Sequence, residues 1–458
     1  MLNRRSLITA LGGMALASRY GSLPAIAAEK RRLPWRNWSG SQQCLPEARV
    51  APASVAQLQE LLAGSQGVIR PVGAGHSFSA LVPTDGTIVS LSRLGGVSDI
   101  DSETLRATIG GGTRLGDIGQ PLHDAGQALI NMPDIDEQTL AGSLATATHG
   151  TGATLGCMST FVQGLQIANA RGELVDCDAN TNADLFEAAK VSLGCLGLVT
   201  QVRMQNVAPY RLRRETVWWE LEEMLENVDA MAAKHRNFEF YYVPFSGMGF
   251  TDAHDITDEP MGTTGKADPN EGTMELKMLR DWLEWSPTLR RLVLGTYAST
   301  IPDEITIGNS WKNYASERNV RFNEMEYHLP RESGLKALRE MIAALESQHH
   351  EVFFPIEVRY VKGDDIWMSP FYQRDSMSIA LHRYFEEDYK PYFQTVEPIL
   401  RKHGGRPHWG KLNTLGSADF EALYPRWKDF AEVRREMDPQ GRFLNPYLKG
   451  LFNDGVGA

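Results

Sequence analysis

The sequence predicts an α+β fold in two domains, on three observations. Strand-like and helix-like stretches interleave as far as about residue 206. After Pro209 the chain turns bulky and aromatic, as in VWWELEEML and FEFYYVPF. Two stretches of small residues, VGAGHSF (72–78) and QTLAGSLATATHGTG (138–152), both lie in the first part. Together they read as a nucleotide-binding first half and a substrate-binding second half. At 458 residues, with 42% apolar and 22% charged side chains, the chain has room for both cores.

The elements follow in order. In APASVAQLQELL (51–62), Ser54 and Gln57 stand at capping-box spacing ahead of an apolar stripe of Leu58, Leu61 and Leu62, which predicts a helix start. GVIRPVG (67–73) reads as a short strand ending in a turn. TIVSLSRL (87–94) and ETLRATIGGG (103–112) alternate like strands, and 114–126 reads as helical. FVQGLQIANA (161–170) and ELVDC (173–177) are strand-like. Residues 252–277, polar and acidic, predict a surface excursion. LKALREMIAALE (335–346) is an amphipathic helix before the strand VFFPIEVRYV (352–361). The tail DPQGRFLNPYL (438–448) is rich in turn residues and aromatics.

The N-terminus reads as a leader rather than as fold. Arg4 and Arg5 precede a weakly apolar stretch, and Ala25-Ile26-Ala27 supplies small residues for cleavage. The apolar run is too short to span a bilayer, so no stable membrane insertion is expected. The paired arginines resemble a Tat signal (1–27), which predicts export of the folded protein to the periplasm or beyond. Its removal takes away three arginines and no acids, moving the formal charge from −11 to −14. That balance and the lack of a basic block exclude nucleic acid as a partner. Cys44, Cys157, Cys177 and Cys195 form no CxxC pair and fit no zinc spacing, so free thiols and no metal are expected.

Four motifs carry chemistry. VGAGHSF has the GxG of a dinucleotide loop but Phe78 in place of a third glycine, so a nicotinamide fingerprint is incomplete. Gly73 and Gly75 let backbone amides close on a pyrophosphate, or simply form a turn. The 138–152 run lets main chain lie against a large planar or anionic ligand. Glu357 and Arg359, two apart on a strand, emerge on one face among Phe353, Phe354, Ile356, Val358 and Tyr360. A buried pair of that kind suits a ligand rich in hydroxyls. In HWGK (408–411), a cation at Lys411 would favour an anionic reduced cofactor. His382 is a further candidate for the same pocket.

VGAGHSF, the AGS…THGTG run and LGCLGLVT (193–200) resemble the FAD-binding half of the vanillyl-alcohol-oxidase superfamily. NWSG (37–40), EVR (357–359), HWGK and DPQGRFLNPYL narrow the resemblance to the aldonolactone and alditol oxidases. It runs from about residue 35 to 450, with the motifs in the same order. It implies an FAD-binding domain of PCMH type over 35–206 and a substrate-binding cap domain over 207–450, with the tail returning to the flavin. His76 matches the histidine that carries FAD through its 8α carbon, a bond that would raise the reduction potential. Val72, Gly73, Gly75, Ser77, Gly142, Ser143, His149, Gly150 and Gly152 match the run along the pyrophosphate and ring. Gly197 and Val199 match the segment at the adenosine end. Gly111 aligns with a position near flavin C4a, where a small residue accompanies use of oxygen.

The resemblance implies hydride transfer from the CH–OH carbon of a sugar lactone or polyol to flavin N5, with molecular oxygen reduced to hydrogen peroxide. Glu357 and Arg359 would orient hydroxyls, Lys411 would stabilise negative charge, and Ser143 would bind substrate. A dehydrogenase of the same fold and a flavin-bearing sugar-binding protein without turnover are the competing expectations.

Overall fold

The computed structural model describes residues 32–264 and 269–453. The leader prediction for 1–27 therefore falls outside the described residues, and within them no helix is long and apolar enough to cross a membrane.

The predicted helix start is present. Ser54 caps the helix Val55–Gly64 by accepting from the Gln57 amide at 3.2 Å, and the Gln57 side chain accepts from the Ala53 amide at 2.9 Å. Its Leu58 and Leu62 pack on Ile69 and Val89 from a three-stranded parallel sheet, Ala48–Val50, Thr87–Ser90 and Ile69–Val72. The glycine–histidine loop leaves the end of the last of these strands. A second, antiparallel sheet orders Val97–Asp101, Arg106–Gly110, Leu198–Gln205, Val162–Ala168 and Leu174–Cys177. The 138–152 run contributes the short helix Leu140–Ala145 beside it.

From Arg211 onward the architecture is a nine-stranded antiparallel sheet with helices on it. Its middle strands are, in order, Arg211–Glu220, Met248–Thr257, Asn237–Val243, Ile356–Val361, Ser376–Tyr384 and Phe322–Pro330. The helix Arg331–Gln348 covers one face with Ala337, Leu338, Met341 and Leu345. The predicted excursion at 252–277 is corrected here. Residues 252–257 complete a central strand, and the helix Pro269–Leu283 begins within the stretch. Asp252 lines the cavity and pairs with Arg214, while Asp255 meets His235 at 2.6 Å. All four cysteines are free thiols.

Arg70, in the strand leading to the glycine–histidine loop, is 1% exposed. Its guanidinium donates to the carbonyls of Leu81 (2.7 Å), Leu193 (2.8 Å), Gly194 (2.9 Å) and Phe443. It thereby ties the loop's strand to the 193–200 segment and to the C-terminal tail. Ile69 also donates to Arg442 O at 2.8 Å, and Asn445 donates to Ala80 O at 2.8 Å. Arg70→Met leaves four carbonyls without that donor and is expected to cost about 3 kcal/mol or more. Thermal unfolding of the flavin-loaded protein checks this; an unchanged midpoint refutes the role.

Candidate active site

A single cavity of about 1380 Å³ runs between the two sheet systems. Val72, Gly73, Gly75, His76 and Ser77 line it from the loop, Gly142 and His149 from the small-residue run, and Gly197 and Val199 from the 193–200 segment. Glu357, Arg359 and His382 line it from the large sheet, and His408 and Lys411 from the turn after that sheet's last strand. Thus most of the residues singled out in the sequence converge on one space.

The loop is braced from two sides. Gly75 takes a φ of +75°, and its carbonyl accepts from the Trp38 amide at 2.8 Å. The Trp38 ring stacks on His76 at 5.3 Å and 20°. Asn37 donates to Ser77 O at 3.0 Å, so NWSG is the clamp of the loop. From the other side, Phe78 donates to Gly410 O at 2.7 Å and Ser79 to Trp409 O at 2.7 Å. HWGK is therefore fastened directly to the histidine loop. Burial, with Lys411 and Arg114 nearby, pushes His76 down to about 4, which keeps its imidazole neutral and nucleophilic at ordinary pH.

The large sheet supplies the charges. Arg359 bonds Glu239 at 2.9 Å, Asp134 at 3.0 Å and Glu357, while Arg318 holds the other oxygen of Asp134 at 3.0 Å. Tyr241 Oη lies 2.9 Å from Glu357 and 3.0 Å from Glu239. The Tyr241 hydroxyl can donate to only one of the two carboxylates at a time. Burial pushes Glu357 up to about 8, aided by Asp134 and Glu239 and opposed by Arg359. Despite their burial, Asp134 is held low by Arg359 and Arg318. Lys411 pairs with the buried Glu324, and His382 Nε2 lies 3.7 Å from that carboxylate. Burial and Lys411 push His382 down to about 3.

Four of the expected residues have main-chain or side-chain partners within the protein. Ser143 is 1% exposed and donates to Leu140 O at 2.8 Å inside its own helix, off the cavity lining. Gly150 and Gly152 also lie off the lining; Gly152 donates to Tyr360 O at 2.8 Å, where main chain crosses to the large sheet. Gly111 does line the cavity, but a Cβ there would fall 2.0 Å from Val199 O. Main-chain packing accounts for that glycine whatever the electron acceptor.

Sequence reading missed Asp134, Glu239, Tyr241, Arg318, Glu324 and Glu326. Glu326 bonds His149 Nε2 at 3.0 Å, while His149 Nδ1 faces Gly150 O at 2.8 Å. With His328, their ligating atoms lie within 4.8 Å of one another, close enough for a metal ion to bridge. The alternation of FNEMEYHLP (322–330) was the available signal, with Glu324, Glu326 and His328 on one face.

The residues present fit FAD. The amides of Ala74, Gly75 and His76 donate to no other group among the described residues, beside a cavity lined by main chain and small side chains. The family model for D-arabinono-1,4-lactone oxidase matches residues 202–451, and that for an FAD binding domain matches 46–178. The chain belongs to the D-arabinono-1,4-lactone oxidase family. It is 36% identical over 427 residues to the L-gulono-1,4-lactone dehydrogenase of Mycobacterium tuberculosis, covering 91% of this chain and 98% of the relative. The L-gulonolactone oxidase of Bos taurus is 32% identical over 434 residues, with the same coverage of 91% and 98%. The alditol oxidase of a Streptomyces species is 28% identical over 436 residues, again covering 91% and 98%. A solved cholesterol oxidase from Brevibacterium sterolicum shares the fold, with a TM-score of 0.73 at 15% identity, covering 94% of this chain and all of that one. This member of the family is an FAD flavoprotein of the PCMH-type fold.

Proposed function

We propose that this protein is an FAD-dependent oxidase of sugar 1,4-lactones, acting on a CH–OH carbon with oxygen as acceptor. The observation that carries the reading is the convergence of Glu357, Arg359 and Lys411 on the cavity lined by the GxGH loop. Bound FAD supplies a hydride acceptor that oxygen can reoxidise to give hydrogen peroxide. Arg359 and Lys411 place two cations where the substrate's hydroxyls bind, which lowers the proton affinity of the reacting hydroxyl. Glu357, as its carboxylate, takes that hydroxyl proton; Tyr241 and Glu239 fix its orientation. Asp134 and Glu239 hold Arg359 in place. His76 is the attachment point of the cofactor, its neutral imidazole suited to bond formation at the 8α carbon. The Tat-like leader supports export after the cofactor is loaded, since a covalent bond survives translocation.

The relative named a dehydrogenase favours a second reading, with an acceptor other than oxygen. Anaerobic bleaching of the flavin by L-gulono-, D-arabinono- and D-glucono-lactones and by alditols tests the reaction. Admission of air then decides the acceptor: prompt recovery of colour with peroxide supports the oxidase, and sluggish recovery supports the dehydrogenase.

For His76→Ala, acid precipitation is expected to leave the yellow colour in the supernatant, whereas in the parent it stays in the pellet. Colour retained by the variant's pellet refutes attachment at His76. In the parent, kcat/KM is expected to rise with pH and level off above about 8, as Glu357 ionises. Glu357→Gln should lower kcat/KM by about 100-fold or more and flatten that rise. An unchanged profile in the variant removes Glu357 from the proton-accepting role.

A further inference from the structure

Beyond the charged cluster, the same sheet face continues as an aromatic row. Register places Glu357 opposite Tyr241, Tyr241 opposite Phe250, and Phe250 opposite Trp218. Tyr241 and Phe250 stack at 4.5 Å and 12°, and Phe250 meets Trp218 at 5.0 Å. Trp218 thus stands three strands from Glu357, about 14 Å at ordinary strand spacing. Both Trp218 and Phe250 are half-buried and line the cavity.

This lobe is not a plain apolar tunnel. The parallel row two residues along carries Thr216 opposite Asp252 and Asp252 opposite Glu239, and Arg214 pairs with Asp252. Arg214, Thr216 and Asp252 also line the cavity. A ring held at Glu357, Arg359 and Lys411 leaves the Trp218–Phe250 shelf uncovered. Trp218 is tilted by 43° from Phe250, and this aromatic corner, edged by the bonded Arg214–Asp252–Thr216 group, can meet the C–H groups on a sugar ring's face while its rim reaches polar groups.

We propose that Trp218 and Phe250 form an outer subsite for a second sugar ring. The substrates that use the whole cavity are then lactones or alditols carrying a glycosyl group on the carbon remote from the oxidised one. The proposal rests on the reaction proposed above and adds no chemical step to it.

The test compares hexono-1,4-lactones and hexitols with their 6-O-glucosyl and 6-O-galactosyl derivatives, by anaerobic flavin bleaching and by ligand-induced changes in the flavin spectrum. The glycosylated compounds are expected to show at least a tenfold higher kcat/KM than their parents. Trp218→Ala should remove that advantage and leave the parents within about twofold. Phe250→Leu, a smaller change, should remove part of it and serves if Trp218→Ala fails to fold. Glycosylated compounds that react no better than their parents overturn the subsite, as does a Trp218→Ala loss shared equally by both sets. Linear long-chain alcohols showing the Trp218-dependent gain in place of the glycosides also overturn it, in favour of an apolar ligand. Bleaching by the parents alone leaves the proposed reaction standing; bleaching by neither set defeats both readings.

Discussion

The guanidinium of Arg70 is the contact on which the cofactor side of the molecule depends. It sits in the strand that runs straight into the loop carrying His76, and it holds carbonyls from residues 81, 193–194 and 443 around one planar group. Burial lowers its proton affinity, opposed by Cys195 beside it and by Asp438 farther away. A buried charge without a close carboxylate is costly, and here main-chain dipoles compensate for the lost water. The geometry follows from the donor fork: five N–H groups in one plane fix the mutual position of three segments remote in sequence. A lysine would offer a point charge and could not set those angles. The tail therefore does structural work beside the loop: Arg70 and Asn445 bind it to the same strand and turn.

On the substrate side, the constraint is an imbalance of charge. Asp134, Glu239 and Glu357 share Arg359 and Arg318, while Lys411 is committed to Glu324. Burial disfavours the charged form of Glu357, Asp134 and Glu239 add to that, and Arg359 offsets it only in part. The same arrangement that positions Glu357 through Tyr241 thus brings its ionisation into the range where a base works near neutrality. The acid–base character belongs to the cluster as a whole, since removing Asp134 or Glu239 would alter Glu357 without touching it.

The sequence made the local features legible and left the long-range ones hidden. Ser54 and Gln57 announced a helix by spacing alone, and the capping bonds are both present. Glu357 and Arg359 were visible because two-residue spacing on a strand is a rule of the pleat. Asp134, Glu239, Tyr241 and Arg318 were invisible because each reaches the site by register or from a distant loop, and no local pattern encodes a neighbour across strands. A serine within a helix often bonds a carbonyl of its own preceding turn, and Ser143 does so at Leu140. The polar stretch at 252–257 belongs to a strand all the same, because Asp252 and Asp255 find partners in Arg214 and His235.

The register of the large sheet also explains how one fold can vary its substrate without disturbing its chemistry. Glu357 and Arg359 lie on a strand whose partners carry Tyr241 and Glu239, and the next partners carry Phe250 and Asp252. Each step away from the flavin loop moves one strand farther along the same face. On the reading proposed above, residues near Ile356–Val361 must keep the charge balance that sets Glu357. Most residues on Arg211–Glu220 lie farther from that cluster, though Arg214 adds its charge to the field at Glu239 and Tyr241, and on the same reading that strand is the place to fit groups on the remote end of the substrate. Trp218 and Arg214 occupy that outer strand. The separation of chemistry from fit is therefore a consequence of strand order, built in before any particular side chain is chosen.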